Sequence, residues 1–334
     1  MTAFPGWPAP DYVTTNGIRM AVHHAGPQDR SAAAPPIVLC HGFPELAFSW
    51  RHQLRDLGAQ GFRVLAPDQR GYGLTDRPEP VDAYDMTNLC ADLVGLLDAE
   101  GIEKAVFVGH DWGGIIVWQM PLLHPDRVAG VIGVNTPFMP RPPIDPIAIM
   151  RARMGDDMYI VHFQKPREAD AFLNANVRKA MDFFMRRPLP GAAASDGLAS
   201  GKGPNGESAF ALVQMIAAYD PAFDPRETFL TEAEFAFFVE TFTRTGFTGG
   251  INWYRNFTKN WRDSEGRVER VAVPSLMIMA ENDAVLPPSA ADGMETYVPH
   301  LSRRLIRDCG HWTQQEKPAE TTAAIADWMR ATFP

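Results

Sequence analysis

The sequence contains few cysteines. There are three among 334 residues, Cys40, Cys90 and Cys309, and they lie far apart in the chain. This number and spacing argue against a disulfide framework and favour a reduced, cytoplasmic protein. No grouping of cysteine and histidine has the spacing of a zinc site, so we expect neither a metal nor another cofactor.

Basic residues and long apolar runs are also scarce. Lysine and arginine together number 31 against 40 aspartates and glutamates, which gives a net charge of −9. A nucleic-acid-binding protein would show a basic patch instead. No apolar run reaches the roughly 18 to 20 residues of a membrane span, and residues 1–10 lack the pattern of a signal peptide. We therefore expect no nucleic acid and no membrane among the partners.

Short apolar runs alternate with helical patterns along most of the chain. Runs of this kind are typical of strands buried on both faces of a parallel sheet, with helices between them. At the N-terminus, Asn16-Gly17 is a type I′ turn dipeptide and predicts a hairpin over residues 12–24. We expect helices at 49–57, at 86–100 with Thr87 or Asn88 as N-cap, and at 319–332. The predicted buried strands are 37–40, 63–67, 105–108, 128–134, 275–280 and 302–307.

The alternation is interrupted in the middle of the chain. Prolines crowd residues 137–146, and no buried-strand pattern follows before residue 260. The pattern favours helices at 168–184, 208–218 and 232–243, with a flexible surface loop at 187–206. Because strands resume at 275, a separate C-terminal helical domain does not fit. We expect an α/β core of residues 1–137 and 261–334, with a helical cap of residues 138–260 inserted into it.

The motif Gly-His-Asp-Trp-Gly-Gly at residues 109–114 lies between a predicted strand and a predicted helix. Small residues stand two positions before and two positions after Asp111, as in a nucleophile elbow, where a sharp turn leaves no room for neighbouring Cβ atoms. The alternative is a glycine-rich phosphate loop. It is disfavoured because the chain has neither GxxxxGK[ST] nor GxGxxG at this place.

An aspartate at the apex, where serine is usual, changes the chemistry. A serine needs a histidine to remove its proton before it attacks an acyl carbon. A carboxylate is ionised at neutral pH and can displace a leaving group from an sp³ carbon, which leaves an alkyl ester on the protein. Asp111 therefore indicates strained ethers or alkyl halides as substrates, and disfavours acyl esters and peptides.

Two further residues complete a catalytic triad. Asp283 and His311 each follow a predicted strand, as do His41, Asp68 and Asp111, so all five should lie at one edge of one sheet. The order Asp111, Asp283, His311 is the nucleophile–acid–histidine order of the α/β-hydrolases. Asp283 would orient the His311 imidazole, and His311 would activate the hydrolytic water. The alternative interpretations are a helix N-cap for Asp283 and a buried structural histidine for His311.

The remaining histidines fit less well. His110 points away across the turn and should serve packing, and His124 and His300 adjoin prolines in loops, which is typical of surface positions.

The loop His-Gly-Phe-Pro at residues 41–44 should shape an oxyanion hole. We predict that the backbone N–H groups of Phe43 and Trp112 stabilise the oxyanion that forms when water attacks the ester of Asp111. The bond between Phe43 and Pro44 is a candidate cis peptide. We also expect Phe43, Trp112 and Trp312 to contact the substrate.

Together these motifs resemble the α/β-hydrolase-fold epoxide hydrolases of the soluble type. The resemblance is carried by the 41–44 loop, by Asp-Gln-Arg-Gly-Tyr-Gly at 68–73, by the elbow and by Gly-His-Trp-Thr at 310–313, and it extends from residue 11 to the C-terminus. It implies a mostly parallel sheet flanked by helices, with a helical cap. The implied activity is conversion of a small-molecule epoxide to a vicinal diol by a monomer or homodimer.

The resemblance also implies two catalytic tyrosines in the cap, Tyr159 and Tyr254. A phenol remains a proton donor at neutral pH, so two of them could hold the epoxide oxygen while Asp111 attacks the carbon from the opposite side. Taken singly, each tyrosine could equally be a half-buried core aromatic. His162, close to Tyr159, stands where relatives commonly have an aromatic residue.

Two other functions use similar residues. A haloalkane or haloacid dehalogenase has the same triad but needs N–H donors for a halide; Trp112 offers one, Phe43 offers no side-chain donor, and an arginine after the nucleophile is absent. A non-catalytic ligand-binding protein could keep the fold as a pocket. It would have no need of the triad and both phenols.

Overall fold

One eight-stranded sheet organises the chain. The computed structural model describes residues 4–28, 34–189 and 210–334. The strands lie in the order β1-β2-β4-β3-β5-β6-β7-β8; β2 runs antiparallel to both of its neighbours, and the remaining pairs are parallel. The strands are β1 Asp11–Thr15, β2 Ile18–Ala25, β3 Ile37–Cys40, β4 Val64–Pro67, β5 Ala105–His110, β6 Val128–Val134, β7 Ser275–Ala280 and β8 Leu301–Ile306.

The predicted hairpin and buried strands are present, with ends shifted by a residue or two. Asn16 and Gly17 both have positive φ, 40° and 76°, as a type I′ turn requires. Strands β3 to β5 are fully buried because helices cover both faces of the sheet. β8 is an edge strand, and four of its six residues are exposed.

Helices on the two faces of the sheet belong to separate apolar clusters. The described α-helices of the core are α1 Arg51–Ala59, α2 Met86–Ala99, α3 Trp112–Leu123, α12 Thr313–Glu316 and α13 Pro318–Thr332. Successive residues of β5 alternate between the clusters: Val106 and Val108 pack with Leu54 of α1, and Phe107 belongs to the cluster containing α2 and α3. The central strand is thereby fixed from both sides.

The beginning of α2 differs from the prediction. The N-cap is Asp85, whose side chain accepts a hydrogen bond from the backbone N–H of Asn88. Thr87 and Asn88 lie inside the first turn, so the prediction that one of them caps the helix is wrong. Aspartate and threonine both make good caps, and the local sequence does not fix the register.

Helices predominate in the described part of the chain between β6 and β7. They are α4 Pro146–Met154, α5 Tyr159–His162, α6 Glu168–Ala175, α7 Val177–Phe184, α8 Leu212–Ala218, α9 Glu232–Thr245, α10 Thr248–Arg255 and α11 Phe257–Asp263. The stretch predicted as one helix over 168–184 is two, with a break at Asn176. The predicted loop at 187–206 lies outside the described residues from 190 onward, as do residues 208 and 209 of the predicted helix.

Specific contacts join this insertion to the core. Arg51 of α1 donates its Nε–H to Glu234 Oε1 of α9 at 2.5 Å, and Trp253 of α10 donates its indole N–H to the carbonyl oxygen of Arg70 at 3.1 Å. Gly249 packs so closely on Gly71 that a Cβ atom would lie 2.4 Å from the Gly71 carbonyl oxygen. In the described part of the chain, no helix is long and apolar enough to cross a membrane.

Candidate active site

Asp111 stands at a strained turn between β5 and α3. Its φ and ψ are 51° and −120°, a conformation that L-residues rarely adopt. The turn needs small neighbours: a Cβ on Gly109 would lie 2.2 Å from the Gly113 carbonyl oxygen, and one on Gly113 would lie 2.1 Å from that of Cys40. Helix α3 therefore begins directly at Trp112, three residues earlier than the apolar run alone indicated.

Backbone donors hold the Asp111 carboxylate. Its Oδ1 accepts the N–H of Phe43 at 2.8 Å, and the N–H of Trp112 also donates to the carboxylate. The peptide bond between Phe43 and Pro44 is cis, as the sequence suggested. Burial raises the pKa of Asp111 above its usual range, although the nearby His311 charge and the two N–H donors oppose this. The two predicted oxyanion-hole groups thus already contact the carboxylate.

His311 lies between the two aspartates. Its Nδ1 is 2.9 Å from Oδ2 of Asp283, and its Nε2 is 3.7 Å from Oδ2 of Asp111. Burial lowers the pKa of His311, but the charge and hydrogen bond of Asp283, together with the charge of Asp111, outweigh burial and raise the pKa to about 9. In the resting site the imidazole is therefore protonated at neutral pH.

Asp283 is fully buried and each of its oxygens is used. Oδ1 accepts the backbone N–H groups of Val285 and Leu286 at 2.8 and 2.9 Å, and Oδ2 accepts the side-chain amide of Asn135 at 2.6 Å besides facing His311. Burial alone would raise the pKa of Asp283, but the His311 charge and these donors hold it well below its usual range. One oxygen caps a turn, and the other faces the histidine.

The two tyrosines predicted for the site lie together. The rings of Tyr159 on α5 and Tyr254 on α10 have centroids 5.6 Å apart and meet edge to face. Burial, followed by the Asp111 charge, raises the pKa of Tyr159, and burial raises that of Tyr254 well above its usual value. Both phenols therefore remain protonated at neutral pH and lie close enough to Asp111 to sense its charge.

These groups share one apolar cavity of about 380 Å³, a volume within the usual range for a small-molecule site. The sequence-predicted residues along its wall are Phe43, Asp111, Tyr159, Tyr254, His311 and Trp312. Further lining residues include Phe183, Phe184, Phe210, Leu212, Met215 and Val285.

Of the three residues predicted to contact the substrate, two line the cavity and one does not. Phe43 and Trp312 line the cavity, and the Trp312 indole donates to the Phe184 carbonyl oxygen at 2.6 Å. The Trp112 ring is buried behind Tyr254, with centroids 5.1 Å apart, and is not among the lining residues. A side-chain contact between Trp112 and substrate stays a prediction.

His110 does more than pack. Its Nδ1 lies 2.7 Å from Oε2 of Glu45, and its Nε2 lies 2.7 Å from the backbone carbonyl oxygen of His311. Both Glu45 and His110 are fully buried. His300 is exposed and His124 half-buried, and neither lines the cavity. Of the histidines weighed in the sequence, His311 alone reaches Asp111 directly.

Sequence reasoning missed Asn135 and Glu45. Asn135 directly follows β6, so the rule that functional residues gather at strand ends could have found it. Glu45 directly follows the 41–44 loop, but it belongs to no motif that the sequence analysis recognised. Within the residues that the structure describes, no group of histidine, cysteine, aspartate or glutamate could hold a metal ion.

Known proteins resemble this chain in sequence. A family model described as the alpha/beta hydrolase fold matches residues 35–318. Epoxide hydrolase A of Mycobacterium tuberculosis is 44% identical over 332 residues, covering 97% of this chain and 98% of the relative. Bifunctional epoxide hydrolase 2 of Mus musculus is 39% identical over 98% of this chain, which spans 58% of that longer protein.

Solved structures agree in fold. Epoxide hydrolase A from Mycobacterium thermoresistibile superimposes with a TM-score of 0.83 at 40% identity, covering 97% of this chain and 98% of the other. An epoxide hydrolase from Vigna radiata gives a TM-score of 0.82 at 29% identity, with 98% and 99% covered. The family match, the sequence identities and the shared fold show that the chain belongs to the epoxide hydrolases of the α/β-hydrolase fold.

Proposed function

We propose that the protein converts small-molecule epoxides to vicinal diols through a covalent ester on Asp111. The observation that carries this proposal is the arrangement of two protonated phenols and a carboxylate along one apolar cavity, beside the paired His311 and Asp283. A phenol pair suits an oxygen that gains negative charge as the ring opens.

In the first step, Oδ2 of Asp111 attacks a ring carbon and the carbon–oxygen bond on that carbon breaks. Oδ1 stays with the Phe43 N–H as the future carbonyl oxygen of the ester. The departing ring oxygen takes a proton from Tyr159 or Tyr254, and the other phenol donates a hydrogen bond to it. Bringing nucleophile and acid to opposite sides of the ring supplies the favourable geometry.

In the second step, His311 removes a proton from a water that attacks Cγ of the ester. The N–H groups of Phe43 and Trp112 stabilise the resulting oxyanion. As the intermediate collapses, the bond from Cγ to the alkyl oxygen breaks and that oxygen receives the proton from His311. The new carboxylic acid loses its proton, which restores the phenol, and the diol leaves.

Alkylation itself prepares His311 for the second step. The negative charge of Asp111 helps to raise the His311 pKa, and this charge is lost when Asp111 becomes a neutral ester. The pKa of His311 therefore falls when the ester forms, so the imidazolium releases its proton to solvent and the neutral imidazole becomes a competent base. When hydrolysis restores the Asp111 charge, the imidazole takes up a proton from solvent again. A single residue thus changes from ion-pair partner to general base within one turnover.

We further propose that residues 138–260 act as a cap that carries both phenols and admits substrate by moving relative to the core of residues 1–137 and 261–334. The helices between β6 and β7 support this division. We retain a cytoplasmic location and a monomer or homodimer as predictions. The three cysteines are buried and free, which supports a reducing compartment.

Dehalogenation is less well supported by the same site. A halide needs N–H donors, and the Trp112 ring lies against Tyr254 and is not among the residues that line the cavity. The phenol pair has no role in releasing a halide. A non-catalytic pocket is disfavoured as well, since ligand binding alone needs no His311–Asp283 pair.

The test is diol formation from a panel of epoxides, with 1-chlorobutane and fluoroacetate as controls. Wild-type protein should form diols and release no halide. Tyr159→Phe and Tyr254→Phe should each slow ring opening about ten-fold or more without abolishing it, because one phenol remains. Halide release without diol would assign the chain to the dehalogenases, and unchanged rates in both variants would leave the tyrosines as packing residues.

A further inference from the structure

The helix that carries Tyr159 cannot hold its own position. α5 spans only the four residues Tyr159–His162, and one turn of helix has no independent stability in water. Its carbonyl groups near the C-terminal end also need partners from elsewhere. The position of the Tyr159 phenol therefore depends on tertiary contacts to this turn.

Gln164 provides the first of these contacts. Its side-chain amide donates one N–H to the Ile160 carbonyl oxygen of α5 and the other to the Tyr254 carbonyl oxygen of α10, both at 2.9 Å. One planar amide thus joins the backbone next to one tyrosine to the backbone of the other. Neither Gln164 donor remains for another role.

Arg255, the residue that follows Tyr254, provides the second set of contacts. Its Nε–H donates to the Phe163 carbonyl oxygen at 2.9 Å, and one Nη2–H donates to that of Lys165 at 3.2 Å. The remaining donors go to Asn252 Oδ1 and, in a bidentate pair, to the Asp170 carboxylate. All five guanidinium N–H groups are used, a pattern that lysine with three donors cannot reproduce.

The Arg255–Asp170 pair is largely buried, unlike the exposed ion pair at the end of α4. The side chains of Arg255 and Asp170 are 11% and 10% exposed. Arg151 and Asp156 form a comparable pair at 2.9 Å at the end of α4, but their side chains are 52% and 68% exposed. Exposed pairs contribute little to a defined geometry, so this second pair is a matched control.

We propose that Gln164 and Arg255 are positioning residues that fix the Tyr159 and Tyr254 phenols relative to each other for ring opening. The proposal rests on the proposed function, in which both phenols act on the departing oxygen. Neither residue lines the cavity, so each acts through the tyrosines. Displacing a catalytic group by about 1 Å is enough to slow a reaction strongly.

The two chemical steps should respond differently. Ring opening needs both phenols in register, whereas ester hydrolysis uses His311 and the N–H groups of Phe43 and Trp112, which all belong to the core. Loss of the positioning contacts should therefore slow formation of the alkyl ester and leave its hydrolysis unchanged. A purely structural role would instead lower the melting temperature or change both steps together.

The experiment measures both rates in single turnovers of the full chain, by rapid quench and intact-protein mass. Gln164→Met, which keeps the side-chain length but cannot donate, and Arg255→Lys should each slow ester formation about ten-fold or more while hydrolysis stays within about two-fold. Arg151→Lys should change neither rate. Arg255→Lys carries the test alone if Gln164→Met does not fold. Equal loss in both steps, or no loss in ester formation, would overturn the proposal.

Parallel variants separate this proposal from the proposed function. If Tyr159→Phe and Tyr254→Phe slow ester formation but Gln164→Met and Arg255→Lys do not, the positioning role fails and the proposed function stands. If the tyrosine variants have no effect, the proposed function fails first.

The double variant Gln164→Met with Tyr159→Phe tests whether Gln164 acts through Tyr159. Its rate of ester formation should fall by less than the product of the two single fold-changes, because the phenol that Gln164 positions is already absent. A full product would contradict action through Tyr159.

Discussion

Asp283 is fully buried and Asp111 is half-buried at the cavity wall, and their surroundings move their pKa values in opposite directions. Asp283 has four donors directed at it, and its pKa is held below the usual range. Burial dominates at Asp111, and its pKa is raised. The first keeps its charge, which suits the orienting role that we propose for it, while the second is the more basic carboxylate and is open to the cavity, as we propose for the nucleophile.

The pKa of His311 should fall in a definite order when its partners are removed. The Asp283 contribution is larger than that of Asp111, and burial alone lowers the pKa. We expect about 9 for the wild type, a lower pKa in Asp111→Asn, and the lowest in Asp283→Asn, below the ordinary value of about 6.5. Imidazole NMR titration of the three proteins measures this. A reversed order would show that Asp283 is not the principal partner.

At the residue scale, the sequence allowed prediction of those groups that belong to motifs. Asp111, Asp283 and His311 each follow a strand, so the topology alone brings them to one sheet edge. Glu45 and His110 form their contact only when the 41–44 loop folds back over β5, which no local pattern encodes. The prediction that His110 serves packing was incomplete for that reason.

The elbow is the element on which the site depends. Its turn places Asp111 at positive φ and directs the first N–H group of α3, that of Trp112, at the carboxylate. The strain persists because β5 and α3 are both packed in the core.

Gly113→Ala should therefore disrupt both stability and activity. The new Cβ would lie 2.1 Å from the Cys40 carbonyl oxygen, so backbone must move, and we expect a loss of about 2 to 3 kcal/mol in the free energy of unfolding. Gly266→Ala is the control: its φ is +72° with open space around it, and it should cost about 1 kcal/mol. Denaturant unfolding distinguishes them, and equal losses would mean that steric contact at the elbow is unimportant.

Strands were easier to predict than helices in this chain. The buried strands stand out as short apolar runs between turns, and β3, β6 and β7 have the expected bounds. The helices of the insertion pack on one another in an irregular way, so the break at Asn176 and the single turn of α5 follow from tertiary contacts. Local periodicity carries no signal for such contacts.

Across the whole molecule, the site is assembled from two parts of the chain. The proposed triad comes from the sheet edge, and both phenols come from the helices between β6 and β7. The cavity wall adds Phe183, Phe210 and Val285, which are distant in sequence and belong to no motif. Sequence could therefore predict which motif residues meet at the site, whereas the shape of the cavity depends on how the insertion lies on the core.

The Arg51–Glu234 pair should contribute to the attachment of the insertion. Both side chains are nearly buried, with 8% and 12% exposure, and Arg51 also donates to Gln315 at 2.8 Å. Glu234→Gln keeps the helix cap but removes the charge, and we expect a loss of about 2 kcal/mol. Glu232→Gln, on the same turn but exposed, should stay within about 0.5 kcal/mol. Chemical denaturation tests this, and equal effects would show that the buried pair does not stabilise the assembly.

The central claim is the covalent ester on Asp111, and a single turnover in water enriched in ¹⁸O tests it most directly. Wild-type protein should form unlabelled diol in its first turnover and gain one ¹⁸O in the peptide containing Asp111, because water attacks Cγ of the ester. His311→Gln should accumulate the substrate adduct on that peptide, since attack proceeds and hydrolysis does not. Label in the first diol, with none in Asp111 and no adduct in the variant, would show that water attacks the epoxide directly and would contradict the account.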